Sequence, residues 1–159
     1  MRDTTNKEVN YFFECYIIMF LLLSGASCTP RINAVVVSER EIVINSEGIT
    51  IPCIPSLRRQ NRSASILLEI DGHWSVAPPW KGIEFSDGRK VVINAVATMS
   101  NKQKIQSSII GGTYGKDGSR VNIRFEPEIP KNLSVDEIFI TASSKIVCRK
   151  IIWYDYDSE

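Results

Sequence analysis

The groups able to do chemistry in this chain are few. His73 is the single histidine among 159 residues. A catalytic histidine needs a nucleophile beside it and an acid to orient it. No Gly-x-Ser-x-Gly elbow exists, so His73 reads as a turn residue after Asp71-Gly72. With one histidine, paired-histidine and His-rich metal chemistry are excluded. Four cysteines stand at 15, 28, 53 and 148. Their spacing has no Cys-x-x-Cys element and gives no zinc pattern. Gly111-Gly112-Thr113-Tyr114-Gly115-Lys116-Asp117-Gly118-Ser119 has the glycines of a phosphate loop but not its spacing: three residues separate Gly111 from Gly115, and Asp117 follows Lys116. It reads as a hairpin loop in which Tyr114 could still touch a ligand. Glu126 and Glu128 flank Pro127 and are carboxylates that could serve a hydrolase, or an acidic cluster could hold calcium. Asp155, Asp157 and Glu159 close the chain as an acidic tail. No constellation here reads as catalytic, and no cofactor is implied.

The aromatic residues are the better binding clue. His73-Trp74-Ser75-Val76-Ala77-Pro78-Pro79-Trp80 puts two tryptophans around a stiff proline pair. His73, Trp74, Trp80 and Tyr114 are therefore the candidate ligand-binding residues. Flat faces at the edge of a β-domain suit a sugar ring or a protein hot spot. The competing reading is that the tryptophans fill the core, and Trp153 is placed there. Arg58, Arg59 and Arg62 make a small basic loop. Lys plus Arg is 19 against 18 for Asp plus Glu, so no basic excess supports a nucleic-acid binder.

The elements that position these residues begin with an address. From Cys15 to Pro30 there is no charge, Tyr16–Leu23 is a bulky apolar block, and Ser24, Gly25, Ala26 and Ser27 follow. The order polar, greasy, small is that of a secretory signal. A spanning helix needs roughly 20 apolar residues, and this block is shorter; a retained membrane anchor and a buried core helix are the other readings. Leu23, Gly25, Ala26, Ser27 and Cys28 resemble the lipobox of bacterial lipoprotein precursors. That family usually has Leu three residues before the cysteine; here Gly25 holds that place and Leu23 lies two places earlier. The resemblance covers residues 1–28 alone. It implies cleavage before Cys28, a lipid on Cys28 and a membrane partner at the cell membrane or outer membrane. Cleavage after Ala26, giving a secreted or periplasmic soluble protein, is the alternative. The chain then divides into a signal peptide (1–27), a short tether (28–33) and one domain (34–159). Export would leave Cys53 and Cys148 in an oxidising compartment, where a disulfide between them is expected; two buried free thiols are the other reading.

The domain reads as all-β. Strand-like runs are Ala34–Val37, Glu41–Asn45, Ile49–Ile54, Ser65–Ile70, Trp74–Ala77, Lys90–Met99, Ile105–Ile110, Arg120–Phe125, Glu137–Ala142 and Ile146–Tyr154. Val121, Ile123 and Phe125 alternate with Asn122 and Arg124, the period of a half-buried strand. Asp71-Gly72, Asp87-Gly88 and Asp117-Gly118, with the weaker Ser46-Glu47-Gly48, supply residues that tolerate positive φ. Leu57–Arg62 reads as a loop. In the last strand Ile146 and Cys148 share a face, as do Ile151 and Trp153, and strict alternation sets the pairs on opposite sides. A bulge near Arg149-Lys150 reunites them; a strand covered on both faces is the alternative. This pattern predicts an antiparallel β-sandwich, with a jelly roll as one form of it and an up-and-down barrel as runner-up. The expected function is non-catalytic binding at the cell envelope. A carbohydrate-binding module is the alternative, and a carboxylate hydrolase the last choice.

Overall fold

The computed structural model describes residues 32–157, apart from 78–81 and 116–117. The leader, Cys28, Trp80 and the end of the acidic tail lie outside the described residues. Eleven strands run in order: β1 (Ile32–Ser38), β2 (Ile42–Ile44), β3 (Ile49–Arg58), β4 (Ser63–Ile70), β5 (Trp74–Ala77), β6 (Gly82–Phe85), β7 (Lys90–Met99), β8 (Lys104–Gly115), β9 (Gly118–Phe125), β10 (Ser134–Ala142) and β11 (Ile146–Tyr156). All pairings are antiparallel. The main path is β1-β11-β4-β9-β8-β7-β10-β3; β2 pairs with β11, and the β5–β6 hairpin attaches to β7 through β6.

The expected antiparallel sandwich is one sheet folded over and nearly closed. β8 makes the fold. Its first residues pair with β7, through Lys104–Gln106, and the rest with β9. The register shifts between Ser107 and Ile109, and a bulge there bends and twists the strand. Period-2 alternation then points one face of each layer inward. Ile66 and Leu68 of β4, Val121 and Ile123 of β9 and Trp153 of β11 join Ile93 and Ala95 of β7 and Ile138 and Ile140 of β10 in one core. Removing this apolar surface from water is the main force that holds the two layers together. The two ends of the path, β1 and β3, come side by side without pairing.

The boundaries differ from the sequence reading in instructive ways. Ile32 and Asn33, expected in the tether, open β1 by pairing with Tyr156 and Asp155. Leu57 and Arg58, expected in a loop, close β3 opposite Val135 and Ser134. Gly82–Phe85 is a strand absent from the expected set; with four residues, one of them Gly, its pattern is too short to register. Lys90–Met99 and Trp74–Ala77 are found as expected. Gly48, Gly72 and Gly88 have φ of 77°, 100° and 82°, a conformation that favours glycine. Of these three, only Gly88 closes a hairpin between pairing strands, β6 and β7. Asp71-Gly72 is instead a corner, because β4 and β5 do not pair; the Asp71 N–H donates to the Val147 carbonyl at 3.0 Å.

Candidate functional site

The registers sort the turns into two ends. At one end lie the start of β1, the end of β11 and the start of β4, since Ile32 is opposite Tyr156 and Tyr156 opposite Ser63. The turns 59–62, 100–103 and 126–133 lie there too, because Ser107 pairs with Phe125, Thr98 with Lys104, Val135 with Met99 and Ser134 with Arg58. We call this the proximal end. The distal end holds the turns 39–41, 45–48, 71–73, 86–89 and 143–145. The 11 residues of β11 run from one end to the other, roughly 30 Å at the rise of a strand.

His73 and Trp74 are at the distal end. His73 is exposed, and its carbonyl accepts the Ser86 N–H at 3.0 Å. Trp74 opens β5 opposite Phe85 and is only 5% exposed. The sequence allowed Trp74 either as a loop platform or as core, and the core has it: strand pairing aims the indole into the apolar cluster. Its ring faces are thus withdrawn from any sugar-stacking surface. What remains is a shallow cleft of about 350 Å³ lined by His73, Trp74, Ser75, Glu84, Phe85 and Ser86. The Arg89 guanidinium lies 4.3 Å from the Phe85 ring centre at its border, a cation–π contact. Trp80 lies outside the described residues. Tyr114 belongs to β8, in register with Ser119; the backbone does not bring it to the His73 cleft by strand pairing.

A larger cleft, about 700 Å³, opens at the same end along the seam between β1 and β3. Val36, Val37, Ile42, Ile49 and Ile51 give it apolar walls, and Glu39 and Arg40 stand at its mouth. Glu39 accepts a hydrogen bond from Lys150 Nζ at 2.8 Å, and the lysine holds its carboxyl below the usual range. Nothing in the sequence pattern announces this cleft. Valines and isoleucines of separate strands line it, and only the gap between path ends makes them a wall. β3 bears Pro52 and Pro55, which lack the N–H an added strand would need; β1 has no proline.

At the proximal end Glu126 and Glu128 border a small cleft of about 120 Å³ with Ser63, Ser108, Arg124 and Tyr156. Both oxygens of Glu128 are engaged, one by the Arg59 guanidinium and one by the Ser63 hydroxyl at 2.9 Å. Asp155 is wholly buried. It accepts the backbone N–H groups of Gln60 at 2.8 Å and Asn61 at 3.0 Å. The expected loop 57–62 is therefore shorter than read, and a carboxylate from the expected acidic tail anchors it. Among the described residues no three histidine, cysteine or acidic side chains gather as a metal site.

Cys53 and Cys148 are free thiols, which corrects the expected disulfide. Cys53 sits on β3, whose partner is β10; Cys148 sits on β11 between β2 and β4. Each is packed in the core. Burial pushes both thiols up to about 12, so neither carries thiolate at neutral pH.

No protein-family model, no curated protein and no solved structure matches the chain.

Proposed function

We propose that this is an exported, lipid-anchored β-sandwich with a non-catalytic binding role at the cell envelope, working from its distal end. One observation carries the reading. β1 starts at Ile32, four residues after the cysteine of the lipobox-like leader, and it starts at the end opposite the His73 and seam clefts. A lipid on Cys28 would hold the proximal end at the membrane and turn both clefts toward a protein or glycan partner. The seam cleft, walled by valines and isoleucines with Glu39 and Arg40 at its mouth, offers a partner both apolar and charged contacts.

The decisive experiment is intact-mass spectrometry of the protein from membranes of a cell that exports it. A species beginning at Cys28 and carrying a diacylglycerol-type mass supports the proposal. An untrimmed chain in the cytosol, or a soluble species cut after Ala26, overturns the anchor.

A further inference from the structure

We propose that the proximal end is itself a membrane-contact surface, which lies on an anionic bilayer and fixes the domain upright. The inference rests on the lipid anchor at Cys28 and goes further, because an anchor alone leaves a domain free to tumble. Four residues of extended chain span at most about 14 Å, so the start of β1 must stay close to the headgroups. The surface there suits them. Ile32 is 54% exposed, and Ala34 beside it on the outward face is exposed as well. Tyr156 and Tyr154 lie opposite these two on β11, their rings 5.3 Å apart. The Arg124 guanidinium is 6.0 Å from the Tyr156 ring centre. Tyrosines with an apolar body and a polar tip gather at membrane interfaces, and arginine binds phosphate in a fork.

Charge points the same way. Around the distal end and its flanks most cations are paired: Arg89 with Asp87, Lys90 with Glu84, Arg120 with Glu69, Arg149 with Asp71 and Lys150 with Glu39. Arg40 and Lys145 form no ion pair there among the described residues, and Glu41 and Glu47 in the turns 39–41 and 45–48 offset them in number. At the proximal end Arg58, Lys102, Lys104, Arg124 and Lys131 are exposed and form no ion pair among the described residues. Of the carboxylates of that end, Glu128 is paired with Arg59 and Asp155 is buried under its loop. Asp157 accepts the Arg62 N–H and Asp136 the Ser56 hydroxyl; these bonds leave their charges in place, so with Glu126 they offset part of the five cations. Each basic side chain near an anionic surface adds to the attraction.

The test uses the full chain, expressed with its own leader in a bacterium, in isolated membranes. Asn132→Cys marks the proximal turn and Ser86→Cys the distal one; both sites are exposed. Cys53 and Cys148 are buried and stay silent toward a membrane-impermeant maleimide. Ser86→Cys should label equally fast in membranes and in detergent. Asn132→Cys should label at least tenfold more slowly in membranes, and Lys104→Glu with Lys131→Glu should remove most of that slowing. Equal labelling of both sites, on protein whose mass shows lipid at Cys28, overturns the inference and leaves the anchor standing. If the mass shows no lipid, the anchor reading fails by itself, and the same variants, with Cys15→Ser and Cys28→Ser added to keep those thiols silent, are read on vesicles. Slowing of Asn132→Cys by phosphatidylglycerol but not phosphatidylcholine then sustains the inference, and its absence ends it.

Discussion

Cys148 and Ile151 face the same core from β11, although an odd number of steps separates them. The register shifts between Cys148 and Lys150, so Arg149 is an extra residue that resets the alternation. Deleting Arg149 should therefore place Ile151 two steps from Cys148, where plain alternation already sets both in the core, and the chain should still fold cooperatively. Deleting Ile152, beyond the bulge, should instead put Ile151 and Trp153 on opposite faces, so that one must leave the core. Thermal denaturation reads the contrast, with cooperative folding lost only in the second deletion. Arg149→Ala keeps the residue count and should cost no more than about 0.5–1 kcal/mol, the ordinary range for an exposed ion pair. Equal damage from the two deletions would sink the account.

This bulge was legible in the sequence because mismatched apolar pairs on one strand leave a countable phase error. The strand register elsewhere was legible for the same reason. Val121, Ile123 and Phe125 are buried as their alternation requires. What stayed hidden depends on contacts between distant segments. Gly82–Phe85 becomes a strand because β7 and β5 flank it. The turn between β7 and β8 has no glycine: Lys102 takes φ of 69°, and the Asn101 side chain accepts the Gln103 N–H at 3.0 Å. The candidate site was half legible. His73 is exposed as a turn residue should be, whereas the seam cleft exists only because the sheet fails to close.

Gly48 and Gly88 share positive φ but not surroundings. A Cβ at Gly48 would meet the Phe139 ring at 2.4 Å, whereas nothing lies within 4 Å of one at Gly88. Gly88→Ala should cost only the left-handed backbone penalty, about 1–2 kcal/mol. Gly48→Ala should cost more, by roughly the 1–3 kcal/mol of overpacking. Urea midpoints at equal m-value would show the order, and reversal of that order would contradict the packing described.

Asp155 binds two backbone N–H groups from a wholly buried position. Asp155→Asn keeps the shape but replaces one accepting oxygen by a donor, leaving an amide of Gln60 or Asn61 unsatisfied. The expected loss is about 1–3 kcal/mol. Hydrogen exchange should rise at Gln60 and Asn61 before the core strands change. Unchanged protection at both amides would remove Asp155 as the anchor of this loop.

Trp74 and His73 are neighbours with opposite fates on substitution. Trp74→Ala empties a buried site between β5 and the core and should cost about 3–5 kcal/mol. His73→Ala touches an exposed side chain and should stay within about 0.5 kcal/mol. Paired thermal melts check both. A Trp74→Ala variant as stable as the parent would return the indole to the surface.

The buried thiols predict a pH dependence. The ordinary value for a cysteine thiol is 9.0, and burial raises Cys53 and Cys148 to about 12 in the fold. The fold thus favours their neutral form. The stability this gives is complete below pH 9 and is lost as pH rises from 9 toward 12, because the unfolded chain then sheds protons that the native chain keeps. Cys53→Ala with Cys148→Ala should flatten the alkaline limb of a stability profile. At about pH 8 the same shift cuts the thiolate population about a thousandfold. Native protein should thus resist a thiol reagent, and urea without reductant should release both thiols. Fewer than two in urea would mean that the pair is oxidised after all.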